Sequence, residues 1–342
     1  MSFPSRNHAL DLFRFVAATW VAFYHFNELA KGSKNLYTQF CSNGWLGVPV
    51  FFIISGYCIL QSALTSKNAF DFLKKRLLRI FPAYWLSLML TVGIICLNKI
   101  LFGSNTFAPL PHSIREIIYT FFLITFPIYK IEPVNWVYWS LTCELCFYFV
   151  ITLILLLKKD VIYYSLITVV SLLSVVYQWP DHGIFHFLYY WPTFGIGIGL
   201  YGVLNKKAVK KTYLLFLVIL TFNFIALIKT TSNFYIHDSL LYIIASIVTA
   251  IGIVLSKYIQ IKESFFSKMG NYSYGIYLFH VPVGIYLLSF IKIQFFSDVL
   301  LLKIIYDVIV YSFVCYLAFL SYKYFEKPIL TMKKLSFKPE FN

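Results

Sequence analysis

Apolar residues in this chain fall into long, nearly unbroken runs, not the half-polar periods of soluble helices and strands. A membrane-spanning helix needs about 20 mostly apolar residues. Runs of that kind lie near 9–29, 45–64, 82–102, 137–157, 161–179, 185–204, 212–229, 238–256, 271–291 and 300–323. The pattern predicts an all-α polytopic membrane protein with about ten transmembrane helices. An eleventh stretch, near 114–129, is shorter and contains Pro127. We read it as a re-entrant or buried helix, because counting it as a span would put Lys158 and Lys159 outside and reverse every later loop.

Composition narrows the class further. Of 342 residues, 60% are hydrophobic and 13% charged, against about 25% charged in an average globular domain. A soluble domain, a disordered chain, a disulfide scaffold and a nucleic-acid-binding domain are excluded on that ground. The net charge of +15 therefore speaks of topology. With both termini cytoplasmic, 20 Lys and Arg fall on inner segments and eight, Lys292 and Lys303 among them, at outer loops or helix ends, as the positive-inside rule requires. The first run is expected to be retained as the first span. Residues 1–342 are expected to form a single integral membrane domain with no appended soluble domain. Cys143 and Cys146 form a CxxC inside an apolar run, where that spacing reads as packing, not metal or redox chemistry.

The few polar residues inside the spans carry the functional content, since ionisable groups there are expensive. The first span holds Asp11, Arg14, His25 and Glu28, at offsets of 0, 3, 14 and 17. At about 100° per residue all four fall on one face, with Arg14 and His25 roughly 16 Å apart along it. The bland reading is an Asp11–Arg14 ion pair with His25 bonded to a backbone carbonyl. A histidine deep in the outer half, aligned with an arginine, favours function. Arg76 and Arg79 stand at i, i+3 just before Pro82, which is read as the start of the next span. Their forks suit an anionic cytosolic ligand, although on composition alone an anchor on lipid headgroups is the better account.

Three further motifs complete the set. Glu144 lies about two turns into the fourth span, with Ser140 at i−4 on its face. The nearby Trp136 and Trp139 read either as belt residues or as flat surfaces for a sugar. Ser273, Tyr277 and His280 follow i, i+4, i+7 and share a face, where a tyrosine bonded to a core histidine is a common structural arrangement. Gly44, Gly47, Ser55 and Gly56 read as small residues that let helices approach. Glu326, at the cytoplasmic end of the last span, reads as the partner of a basic loop.

Taken in order, these residues resemble the acyltransferase family 3 of integral membrane proteins. Arg14 and His25 match its Arg-x10-His signature; Gly47, Phe51, Phe52, Ser55, Gly56 and Tyr57 match its second-span motif. Arg76 and Arg79 match Arg-x-x-Arg, followed by Ile80, Pro82 and Tyr84. Trp139, Ser140, Leu141 and Glu144 match Trp-Ser-Leu-x-x-Glu, and Ser273–His280 and Phe325–Pro328 match the closing motifs. The resemblance implies a ten-span fold that transfers an acyl group, usually acetyl from acetyl-CoA and without a metal, to a hydroxyl of a carbohydrate or lipid-linked sugar. On that reading Arg76 and Arg79 grip the CoA phosphates and His25 is the general base or acyl carrier. Arg14 favours the neutral imidazole or lines the donor's path. Glu144 and the tryptophans face the acceptor from outside, and Trp139, Ser140, Tyr277 and His280 contact substrate. The expected setting is a bacterial inner membrane, with membrane lipid, a glycan or glycolipid acceptor, envelope-synthesis proteins and no nucleic acid as partners. A polysaccharide or lipid-linked-sugar flippase, and a non-catalytic scaffold, are the alternatives.

Overall fold

The computed structural model describes residues 7–28, 35–103, 109–157, 160–176, 182–204, 210–231, 236–259, 261–289, 291–292 and 299–335. The first helix, α1 (His8–Asn27), starts where the Asn7 side chain accepts the backbone N–H groups of Ala9 and Leu10, the usual remedy for orphan donors at a helix N-terminus. A short α2 (Leu36–Ser42) and a 3₁₀ turn lead into α3 (Gly47–Thr65). The glycines explain how closely α3 is enclosed. A methyl group at Gly44 would run into the backbone of Trp20, one at Gly47 into Ala17 and Val21, and one at Gly56 into the Phe194 carbonyl. Ser55 differs from these packing residues: its hydroxyl donates to Glu144.

Helix α4 (Ala69–Phe102) runs unbroken for 34 residues, capped by Asn68 and closed by Gly103 at φ +70°. The sequence suggested a cytoplasmic helix that stops before a span beginning at Pro82; the chain instead continues helically through Pro82. Proline deletes one rung of the ladder, the bond to Leu78 O; close by, the Tyr274 hydroxyl of a neighbouring helix donates to Ile80 O at 2.9 Å.

Helix α5 (Ile114–Phe121) is eight residues long, too short to cross. It is not buried: Ile114, Ile117, Ile118 and Phe121 are exposed, so its apolar side faces outward. Its last carbonyls are satisfied by α4, with Tyr84 donating to Thr120 O and Trp85 Nε1 to Phe121 O. Next come α6 (Tyr138–Leu155), α7 (Asp160–Val176), α8 (Phe187–Leu204), α9 (Lys210–Thr231) and α10 (Ile236–Leu255). Helices α7, α8 and α9 are joined by Ser171 Oγ, which accepts from Trp191 Nε1 at 3.1 Å and Asn223 Nδ2 at 2.9 Å, the kind of polar bond that holds helices together where there is no water. In that layer Cys143 and Cys146 are buried free thiols of α6.

The last third begins with the short α11 (Phe265–Met269) and α12 (Ser273–Val281), which continues as a π-helical turn over Pro282–Leu287. Helix α13 (Leu300–Ser321) follows, then a second π-helical turn at Tyr322–Glu326 and α14 (Lys327–Leu335). Glu326 is buried and accepts from Ser321 Oγ at 3.2 Å; among the described residues it forms no salt bridge with the basic loop foreseen for it.

The described residues are mostly helical with no strand among them, and six segments are long and apolar enough to cross a membrane: Leu36–Thr65, Ala69–Leu101, Tyr138–Leu155, Tyr213–Thr231, His237–Leu255 and Leu300–Thr331. This is a membrane protein. The other four predicted runs also contain helices, but they depart from a plain apolar span. Helix α1 carries Asp11, Arg14 and His25, α7 has 17 residues, α8 opens with Tyr189, Tyr190 and Pro192, and the run beginning with α12 changes to a π turn.

Candidate functional site: an arginine cavity below a histidine pair

Helices α1, α3, α4, α6 and α12 line a partly open cavity of about 790 Å³, the open solvent at its mouth included. Three cations line it: Arg14 from α1, and Arg76 and Arg79 from α4. Arg14 sits 3.5 Å from Asp11, and its Nη2 donates to Cys58 Sγ at 3.1 Å. Arg76 is 8% exposed, donates Nη2 to Cys58 O at 3.3 Å, and lies beside the rings of Phe72 and Tyr148. Its Nε is buried without a hydrogen-bond partner. Arg79 is the more open of the two. The i, i+3 spacing thus presents both forks to one space, as the helix period requires.

Glu144 lines the same cavity. Sequence reasoning put it toward an acceptor on the outside; the structure has it in one lining with the three arginines. Both Ser55 Oγ at 2.5 Å and Tyr148 Oη at 2.6 Å donate to its Oε1. Ser140 and Ser273 line the cavity too, and Ser140 Oγ is bonded to Tyr277 Oη at 2.8 Å. The Tyr277 hydroxyl is therefore spent on α6, not on His280.

His25 and His280 stand together on the far side of Tyr277. Neither lines the cavity. Their rings stack at 5.3 Å, and the Tyr277 ring, which does line the cavity, lies 5.6 Å from that of His280. His25 Nδ1 is 3.2 Å from Glu28 Oε2, one helical turn on. His280 is fully buried; its Nδ1 is 3.3 Å from Ile276 O and its Nε2 has no partner. Trp136 is the tryptophan beside His25, with centroids 6.0 Å apart. Trp139 packs against Tyr190 and Phe52.

The arrangement can do two things. Fixed guanidinium charge with an unspent donor suits a phosphorylated ligand. An imidazole oriented by a carboxylate at one nitrogen presents the other as a base. Sequence reasoning gave no role to Cys58 and Tyr148, and it read Ser55 as packing first. Only Tyr148, at i+4 from Glu144, had a local signal. Among the described residues no cluster of three His, Cys, Asp or Glu is placed to hold a metal ion.

Comparison with known proteins bears on this directly. The acyltransferase domain family matches residues 7–323. The chain belongs to acyltransferase family 3, and it is an acyltransferase. Family members similar to it include an O-acetyl transferase of Shigella phage Sf6, 27% identical over 95% of this chain and 97% of that protein. An O-acetyltransferase of Staphylococcus aureus is 24% identical over 96% of this chain, which spans 57% of that longer protein. A putative acetyltransferase of Acidianus two-tailed virus is 25% identical over 78% of this chain and 79% of its own length. No solved structure matches.

Proposed function

We propose that this acyltransferase is an inner-membrane O-acetyltransferase, moving acetyl from cytosolic acetyl-CoA to a hydroxyl of a cell-surface carbohydrate or lipid-linked sugar. The observation that carries the reading is the triple-arginine cavity, with its buried unpaired Arg76 Nε, lined also by Tyr277, whose ring lies 5.6 Å from that of His280, which in turn stacks on His25. The names of the relatives support O-acetylation. The topology we propose has ten spans with both termini cytoplasmic, which puts the arginines near the donor's compartment and His25 toward the acceptor's. Membrane lipid and other envelope-synthesis proteins would be its surroundings.

In this mechanism Arg76 and Arg79 hold the phosphates of the donor, and Arg14 carries the positive lining further along its path. Glu144, held by Ser55 and Tyr148, belongs to the same lining. His25 gives Nδ1–H to Glu28 and takes the acceptor's hydroxyl proton at Nε2. The hydroxyl oxygen bonds to the acetyl carbon, the thioester C–S bond breaks, and His25 passes the proton to the departing thiolate. Trp136 offers a ring face beside His25 on which a sugar stacks; Trp139, Ser140, Tyr277 and His280 line the approach.

Transfer of radiolabel from acetyl-CoA to envelope glycan, in membranes carrying the protein, tests the reading. His25→Ala abolishes incorporation while the protein still inserts. Arg76→Ala with Arg79→Ala mainly weakens donor binding. A flippase would move glycan without consuming acetyl-CoA, so donor-independent glycan movement with no label incorporated overturns the enzymatic reading.

A further inference from the structure

Lys292 and Lys303 sit at positions that look like ordinary outer-surface charges, yet they are 7% and 4% exposed. Lys292 belongs to a closed polar network. Its Nζ donates to Asp307 Oδ1 at 2.5 Å, to Phe26 O at 2.6 Å and to Asn27 Oδ1 at 3.4 Å. All three ammonium hydrogens thus have acceptors. The other Asp307 oxygen accepts from Tyr37 Oη at 2.5 Å and Asn27 Nδ2 at 2.9 Å. Four parts of the chain meet here: the end of α1, α2, α13 and the segment after the first π turn.

The place matters more than the count. Phe26 O is one of the last carbonyls of α1, which no intrahelical donor reaches, and Phe26 follows His25 directly. Lys292 lies a few turns beyond His280 on the continuation of α12. Gly284, in the π turn between them, has its Cα against the Phe26 ring. Asp307, on α13, therefore ties together the two elements that carry the stacked histidines. A buried ion pair gives little net stability, because desolvation offsets the attraction. What it supplies is direction, since each bond works only at one geometry.

We infer that the Lys292–Asp307 pair, with Asn27 and Tyr37, positions His25 against His280 for acyl transfer. Lys292 and Asp307 are positioning residues that act through the end of α1, on the side of Tyr277 away from the donor cavity. The inference rests on the proposed role of His25.

The test uses the full-length protein in membranes with labelled acetyl-CoA and envelope glycan. Lys292→Met with Asp307→Asn removes both charges of the pair and keeps a polar side chain beside the buried Lys303, on which the Asp307 charge also acts. Misplacing a catalytic group by about 1 Å costs on the order of 10²-fold, so kcat falls by about that factor. KM for acetyl-CoA stays within about twofold of the parent, as when an interaction made only in the transition state is lost. Tyr37→Phe deletes one bond to Asp307 and leaves the ion pair; it lowers kcat by a smaller factor with the melting temperature maintained. Lys292→Arg, which keeps the charge, retains more activity than Lys292→Met. Parental kcat in the double variant overturns the inference, as does a parallel loss of kcat, donor affinity and cooperative melting, which marks a purely structural role. His25→Ala run alongside separates the two claims. If His25→Ala is active, the catalytic reading fails; if it is dead while the double variant works normally, only the positioning inference fails.

Discussion

Ser55→Ala is the smallest change that probes the cavity. It removes one oxygen from the α3 wall and leaves the helix intact, since alanine is the better helix former. Ser55 Oγ and Tyr148 Oη are both bonded to Oε1 of Glu144, at 2.5 and 2.6 Å. A hydrogen bond to a charged group contributes about 1.5–3 kcal/mol. If that bond holds the carboxylate where the reaction needs it, its full loss slows kcat/KM roughly ten- to hundredfold at about 1.4 kcal/mol per decade. Tyr148→Phe removes the second donor to the same oxygen. The double variant then loses less than the product of the two single losses, because the second change acts on a carboxylate already released. Label transfer from acetyl-CoA into base-labile glycan acetate measures the rate, and detergent size-exclusion chromatography checks folding. A well-folded Ser55→Ala protein with parental kcat/KM would refute the claim that this bond orders the site.

Other expectations follow from the same geometry. Arg76→Lys raises KM for acetyl-CoA, because a point charge replaces a fork whose Nη2 already serves Cys58 O; an unchanged KM in a donor titration argues against Arg76 as a phosphate ligand. Gly56→Ala drives a methyl group into the Phe194 carbonyl and destabilises the α3–α8 contact by about 1–3 kcal/mol, read as a lower melting temperature; an unchanged melt contradicts the packing. Cys58 lines the cavity beside Arg14, so iodoacetate alkylates it, by peptide mass spectrometry, and CoA slows that reaction. Alkylation indifferent to CoA would place the donor elsewhere.

What was legible in the sequence was the part that one helix determines by itself. The adjacent forks of Arg76 and Arg79 and the placing of Ser140 with Glu144 on one face follow from a 3.6-residue period, and both pairs line the cavity; the polar stripe of α1 is divided, with Arg14 in that lining and His25 outside it. Orientation between helices was not legible. Glu144 could have faced any of several neighbours, and its partner Ser55 lies 89 residues away. The glycines of α3 announced close approach, but not that Ser55 among them would serve as a donor. Lys292 and Lys303 counted as outer charges because topology is read from position along the chain, whereas Lys292 is buried against Asp307, which belongs to another helix. Proline at 82 suggested a boundary that α4 ignores. Six segments are long and apolar enough to span; α1 and the α12 segment differ from them in the polar residues of the one and the π-helical turn of the other.

The most direct test of the account combines one variant with two readouts. In purified protein reconstituted into lipid, His25→Ala should bind acetyl-CoA in the arginine cavity as tightly as the parent by calorimetry, yet transfer no label to glycan. Transfer at the parental rate by that variant, or loss of acetyl-CoA binding along with transfer, would contradict a division of labour between a donor cavity and a separate histidine centre.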